Sequence, residues 1–153
     1  MSGGGELHAK EIDCLVSRLL NGGRWLGVFA HDELPELFWE IWFWCLILDT
    51  DPKDLPGTHW LALYAPIAGG IELFDSFGFS PRIYSLDFLD RLHLSFSLQS
   101  PSSFVCGHIC IVYIYLRSHN NSISDIVNLL IKFQVVTYGS DNIFKTFNFA
   151  FAF

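Results

Sequence analysis

Cys106 is the residue of this sequence best suited to act as a nucleophile. It follows a Pro/Ser-rich loop at residues 100–103 and opens a run in which apolar residues recur at helical spacing. The spacing therefore predicts a helix that begins at or near Cys106. At a helix N-terminus, unpaired N–H groups and the positive end of the helix dipole stabilise a thiolate, which is the reactive form of cysteine. Gly107 has no Cβ, so it would let a substrate backbone approach the sulfur closely.

A cysteine nucleophile needs a base, and six histidines are available. His59 is at the start of a predicted strand, immediately before Trp60. Asp75 closes the next predicted strand sixteen positions later, and a turn at Gly69-Gly70 would place the two strands side by side. A carboxylate beside the imidazole would fix its tautomer and stabilise the imidazolium. The pattern therefore predicts a Cys-His-Asp triad.

Gln99 is the candidate donor for an oxyanion. A predicted strand over residues 95–98 would deliver its side-chain amide beside the N-terminus of the Cys106 helix. Taken singly, these residue types have common structural roles: free cysteines are mostly buried hydrophobes, and aspartates often form turns. The order His-Trp, Asp, Gln, Cys-Gly, with each residue at the end of an element, is far less expected by chance.

This order carries a resemblance to a known family. The segments concerned are Gly57-Thr58-His59-Trp60, Leu73-Phe74-Asp75-Ser76-Phe77-Gly78-Phe79, Leu98-Gln99-Ser100 and Cys106-Gly107-His108-Ile109-Cys110. They resemble the active-site blocks of the adenovirus-type cysteine endopeptidases, the adenain family, and most strongly the versions encoded by Maverick/Polinton elements and their adenovirus-like viral relatives. Residues 26–29 and 139–147 are similar to the family's N-terminal and C-terminal blocks, so the resemblance spans about residues 12 to 150.

The resemblance implies a role for each site residue. His59 would be the base, Asp75 its orienting acid, Cys106 the nucleophile, and Gln99 an oxyanion donor together with the Cys106 backbone N–H. It also implies an endopeptidase without a metal ion or other cofactor that cleaves capsid or core precursors at glycine-containing sites. Such cleavage would take place in the host nucleus or in virion-like particles. An activating peptide is an expected partner by the same likeness.

Three alternatives stay open at this point. The same His, Asp, Gln, Cys order occurs in the ubiquitin-like-protein proteases, which would cleave after a Gly-Gly tail. The chain could also be a catalytically inactive interaction module with the same fold. The third is a zinc site formed by Cys106, Cys110 and either His59 or His93, although structural zinc usually uses two paired ligand motifs and this sequence has one.

Length and composition predict one intracellular domain over residues 1–153. Nine Lys and Arg face sixteen Asp and Glu, a net charge of −7, and the basic residues are scattered, which disfavours nucleic-acid binding. Four cysteines without an N-terminal signal pattern predict reduced thiols in a protein that is not secreted. The longest apolar run lies within residues 37–48, too short for a membrane span.

Hydrophobic periodicity and turn signals predict the order of the elements. These are a helix over 7–20, strands at 25–29 and 38–48, a hairpin of 59–64 and 71–75, a short helix over 85–92, a strand at 95–98, the Cys106 helix, and a helix from Ser122 or Ser124 to about residue 133. They predict an α+β fold with a central, mostly antiparallel sheet flanked by helices. That is the cysteine-protease fold of the adenain and ubiquitin-like-protease type that the resemblance implies, with the nucleophile at a helix N-terminus.

Overall fold

A computed structural model describes residues 7–20, 25–34, 43–67, 69–87, 93–94, 97–98 and 105–136, with side chains except at 93 and 133–136. This part of the chain contains the helices α1 (Ala9–Leu19), α2 (Cys106–Ser118) and α3 (Ile123–Val136). Its strands are β1 (Trp25–Phe29), β2 (Trp44–Asp49), β3 (Trp60–Ala65), β4 (Glu72–Phe74) and β5 (His93–Leu94), and a 3-10 turn covers Pro81–Tyr84. None of the helices described is long and apolar enough to cross a membrane.

The strands form one mixed sheet in the order β1-β2-β3-β4-β5. The central pairs β2/β3 and β3/β4 are antiparallel, whereas β1/β2 and β4/β5 are parallel. The α+β class is therefore confirmed, but the prediction of a mostly antiparallel sheet is wrong at both edges. The reason is connection length: a tight turn joins only antiparallel strands, and the chain between β1 and β2 and between β4 and β5 is long enough for a crossover.

The centre of the sheet is buried on both faces. Every residue of β2 and β3 is buried, so these strands carry continuous apolar runs instead of a polar alternation. Successive side chains point to opposite faces: Cys45 and Ile47 belong to the cluster shared with α1, α2 and α3, while Trp44, Leu46 and Leu48 belong to the second cluster. The three helices thus pack on one face of the sheet, where α2 lies directly against β3.

Several predicted elements are confirmed. Helix α1, strand β1 and the β3–β4 hairpin lie where they were expected, and Gly69 and Gly70 have the positive φ of a tight turn, +91° and +84°. The Ser122 Oγ accepts a hydrogen bond from the Asp125 N–H at 3.1 Å, which caps α3 as predicted, although the helix continues to Val136. Of the strand expected at 38–48, residues 44–48 are confirmed as part of β2, Phe43 has a left-handed φ of 64°, and residues 38–42 lie outside the described part.

Two short predicted elements lie mostly or partly outside the described residues. Of the helix expected over 85–92, only residues 85–87 are described: Ser85, in the left-handed region at φ 60°, ends a 3-10 turn at Pro81–Tyr84, and the rest of the prediction is untested. Pro81 explains the early start, since its fixed φ suits the first turn of a helix. The strand expected at 95–98 is β5 at His93–Leu94, and residues 97–98 are not in a strand.

A partly buried ion pair joins the far end of α2 to the sheet. The guanidinium of Arg117 binds both carboxylate oxygens of Glu72, with Nε donating to Oε2 at 2.9 Å, and the two side chains are 16% and 15% exposed. The Tyr113 hydroxyl donates to the same carboxylate at 2.7 Å, and the guanidinium lies 5.0 Å from the centroid of the Tyr64 ring. Because Glu72 is on β4 and Arg117 on α2, this pair fixes the axial position of the helix on the sheet.

Replacing Arg117 by Met should lower the free energy of unfolding by about 3 kcal/mol, because the Glu72 carboxylate would stay largely buried without its counter-charge. Urea unfolding followed by circular dichroism measures the change. The matched control is Arg18→Met at the exposed end of α1, where a shift within about 0.5 kcal/mol is expected. Equal effects of the two substitutions would contradict the role given to Arg117.

Candidate active site

His59 and Asp75 meet at one end of the β3–β4 hairpin. His59 lies just before β3 and Asp75 just after β4, and the register pairs Ala62 with Phe74, so the two residues are neighbours across the strands. The His59 Nε2 donates a hydrogen bond to Asp75 Oδ1 at 2.7 Å. His59 is 5% exposed and Asp75 is 0% exposed. The structure therefore brings together the predicted base and its predicted orienting acid in a site that excludes water.

Further groups hold the Asp75 carboxylate. The Phe77 N–H donates to Oδ1 at 2.8 Å, and the Tyr84 hydroxyl donates to Oδ2 at 2.9 Å. The Phe77 ring also stacks on the His59 imidazole, with centroids 4.2 Å apart and planes inclined by 19°. Burial, together with the nearby Asp75 charge and hydrogen bond, raises the pKa of Tyr84, so its hydroxyl stays protonated as a donor.

Sequence reasoning gave no role to Phe77 or Tyr84. The bond from Phe77 has a local signal, because an aspartate commonly accepts from the N–H two residues later. Tyr84 has none, because its reach to Asp75 depends on the 3-10 turn that was not predicted.

Cys106 is the first residue of α2, as predicted. The N-cap residue is Val105, which makes no side-chain capping bond, so its side chain leaves the helix N–H groups at Cys106 uncapped. The Cys106 thiol is close enough to the His59 imidazole to act on its pKa through a hydrogen bond and through charge. Asp75 occupies Nε2, and the other ring nitrogen, Nδ1, is buried and has no hydrogen-bond partner among the described residues, so it is the nitrogen left to act with Cys106.

The environment favours the protonated imidazole. Burial by itself would lower the pKa of His59, but the hydrogen bond and charge of Asp75, with those of Cys106, outweigh it and raise the pKa to about 9. An imidazolium held by a carboxylate beside a cysteine is the arrangement that activates a sulfur nucleophile. The three groups can thus supply a nucleophile and a general acid to an acyl-transfer reaction.

The neighbouring thiol and imidazole on α2 are unsuited to these roles. Burial lowers the pKa of His108 to about 4, so this ring is neutral near pH 7. Burial also raises the pKa of Cys110 well above its usual range, and its Sγ donates to the Trp60 carbonyl at 3.2 Å. Among the residues that the structure describes, no group of three or more His, Cys, Asp or Glu is arranged to hold a metal ion, so the zinc alternative gains no support.

Gln99 lies outside the described residues, and its predicted role stays a prediction. The segment just before it is placed: the Leu98 N–H donates to the Ser76 carbonyl at 2.8 Å. The residue that precedes Gln99 is therefore tied to the residue that follows Asp75.

Gly107 has a different role from the one predicted. A Cβ at this position would lie 3.1 Å from Trp60 Cδ1 and 3.3 Å from Ile12 Cδ1. These atoms belong to β3 and α1, so the missing side chain lets α2 approach the core. The expectation that Gly107 opens a path for substrate is therefore corrected to a packing role.

Comparison with known proteins places these features in context. No family model matches the sequence. The chain is 30% identical over 141 residues to the protease of human adenovirus D serotype 9. This match covers 78% of this chain and 65% of that protein. It is 30% identical over 125 residues to the protease of bovine adenovirus 2, and 28% identical over 120 residues to that of porcine adenovirus A serotype 3.

The chain is similar to adenovirus proteases. The matches to the bovine and porcine proteins cover 69% and 65% of this chain, and 60% and 58% of the relatives. They support the adenain-like kinship that the four sequence blocks indicate, and the α+β fold is consistent with it. The chain spans about two thirds or less of the length of these relatives.

The His59 ring should titrate near pH 9, and Asp75→Asn should move this titration down by about one unit or more, because it removes a carboxylate charge beside the ring. NMR of the histidine rings against pH measures both values. Because the folded-state pKa lies above the unfolded value of about 6.5, the contribution to stability is full below pH 6.5 and is lost between about pH 6.5 and 9. Asp54→Asn, an exposed carboxylate on the preceding loop, is the control. A wild-type titration near 6.5 would contradict the assignment.

Gly107→Ala should lower the free energy of unfolding by about 1–3 kcal/mol, since the new Cβ overpacks the contact with Trp60. Thermal and urea unfolding measure the loss. Ser124→Ala, at an exposed position in the first turn of α3, should change stability little. A Gly107→Ala protein as stable as the control would show that α2 has room to move.

Proposed function

We propose that this chain is a cysteine endopeptidase whose catalytic residues are Cys106, His59 and Asp75. The observation that carries the proposal is the His59 imidazole, held by the buried 2.7 Å hydrogen bond to Asp75 on one side and acted on by Cys106, the first residue of α2, on the other. The similarity to adenovirus proteases supports the same reading.

The reaction follows from this geometry as an acyl transfer. The Cys106 thiolate adds to a peptide carbonyl carbon, and the carbonyl oxygen becomes an oxyanion. The Cys106 N–H, which has no acceptor within its own helix because it opens α2, is one donor to this oxyanion, and we assign Gln99 as the second by its place in the family pattern. The His59 imidazolium then gives its proton to the leaving nitrogen as the C–N bond breaks. Water, deprotonated by His59, hydrolyses the thioester and restores the thiolate.

The substrates in this proposal are viral or transposon-encoded precursor proteins with glycine-containing sites. The Maverick/Polinton relationship and the activating peptide belong to the same proposal. The charge of −7 and the scattered basic residues give no support to a DNA partner. The ubiquitin-like-protein proteases remain the second candidate, because they share the His, Asp, Gln, Cys order.

Cys106→Ala should abolish cleavage of glycine-containing precursor peptides, since no other described thiol pairs with His59. The assay offers these peptides and, separately, a ubiquitin-like protein joined through a Gly-Gly tail, with and without candidate activating peptides. The loss of Gln99 by Gln99→Ala should cost about 10²- to 10³-fold in kcat if it is an oxyanion donor.

Cys14→Ser is the matched control for the Cys106 variant, because Cys14 is an exposed thiol on α1. It should leave the rate unchanged. Cleavage of the ubiquitin-like conjugate alone would replace the first candidate by the second. Stable, folded protein that cleaves neither substrate class would favour the inactive interaction module.

A further inference from the structure

A cavity of about 480 Å³ opens beside the candidate active site. Its walls include the His59 imidazole, the aromatic rings of Phe77, Phe79 and Tyr84, and the carboxylate of Asp51. It therefore borders the same imidazole that Asp75 and Cys106 share. It also lies on the side of that ring where the 50–58 loop passes.

The position of the cavity indicates which part of a bound substrate would lie in it. Neither Cys106 nor any other described residue of α2 lines it, whereas His59 does. The imidazolium must reach the leaving nitrogen to give it a proton, so the residues that begin at this nitrogen start beside His59. A cavity that adjoins this residue and not α2 is therefore a candidate place for the residues after the scissile bond.

The walls combine exposed apolar surface with one carboxylate. Phe79 and Ile83 are 41% and 61% exposed, although both are large hydrophobic residues. Asp51 Oδ2 accepts two bonds from Thr58, from the N–H at 3.1 Å and from Oγ1 at 2.6 Å. Its Oδ1 has no partner among the described residues. A side chain with an apolar stem and a cationic end matches such walls, because the stem packs on the rings while the charge meets the carboxylate.

The loops around the cavity are mostly negatively charged, like Asp51 itself. The two loops beside it, residues 31–34 and 49–58, carry five carboxylates and one ammonium group, from Asp32, Glu33, Asp49, Asp51, Asp54 and Lys53. The Lys53 ammonium is already paired with Glu33. Apart from histidine rings, the described lining contains no cationic side chain. The local field therefore attracts a basic peptide.

We propose that this cavity binds the first residues after the scissile bond and selects Lys or Arg there, with Asp51 as the residue that determines the preference. The proposal rests on the endopeptidase function above and names part of its substrate class: precursors that carry a basic residue directly after the cleaved bond. Asp51 accepts both of its side-chain bonds from Thr58, the residue before His59, and Asp51→Asn keeps an oxygen that can accept them, so this substitution should change which peptides are cut and not the chemistry itself.

The test compares peptides that are identical except at the first position after the scissile bond, which carries Arg, its neutral isostere citrulline, or Glu. For the wild type, kcat/KM should be about 5-fold higher with Arg than with citrulline, the scale of a partly exposed ion pair, and lowest with Glu. Asp51→Asn keeps an oxygen that can accept from Thr58, and it should reduce the Arg preference below about 2-fold while the citrulline peptide is cut as before. Asp54→Asn, an exposed carboxylate that does not line the cavity, should keep the preference.

Binding of the same peptides to Cys106→Ala, measured by calorimetry, separates the two proposals. Equal rates for Arg and citrulline in the wild type, or equal effects of Asp51→Asn and Asp54→Asn, would overturn the assignment of Asp51 while the endopeptidase function stands. Peptides that bind with the Arg preference but are never cleaved would overturn the function and retain the basic subsite. Binding without any preference would reject the subsite whatever the activity.

Discussion

The hydrogen bond between His59 and Asp75 is the interaction on which the arrangement of this site depends. Both residues are buried, and a buried carboxylate is stable only when its oxygens are matched by donors. Asp75 therefore requires His59, the Phe77 N–H and the Tyr84 hydroxyl together. Those donors come from the residue just before β3, from the turn after β4 and from the 3-10 turn, so satisfying one carboxylate fixes three segments of chain around the imidazole.

Cys106 reaches this pair only because α2 is fixed on the sheet along its length. Gly107 brings the first turn against Trp60, Cys110 donates to the Trp60 carbonyl one turn later, and Arg117 binds Glu72 at the far end. The two partners of α2 are the residue after His59 and the residue three positions before Asp75. The helix is thus attached to the same strands that carry the base and the acid, which is how a scaffold pre-organises reacting groups.

The sequence predicted those parts of the site whose signals are local. Hydrophobic spacing and the loop before it indicated that Cys106 begins a helix, and the Gly69-Gly70 turn indicated that His59 and Asp75 lie on paired strands. The parallel edges of the sheet were missed because pairing across long connections has no local signal. Gly107 was misread for a related reason, since the residues packed against it are remote in sequence. Gln99 lies outside the described residues, so its place in the pattern is untested.

The pKa of His59 raises a question of acid strength, which the proposed mechanism resolves. An imidazolium with a pKa of about 9 is present at neutral pH but is a weak acid toward a leaving amine. Part of this elevation comes from the hydrogen bond and charge of Cys106. When the sulfur bonds to the carbonyl carbon it loses its negative charge, so this contribution disappears while that of Asp75 remains. In the proposed mechanism the imidazolium would therefore become a stronger acid at the step that requires its proton.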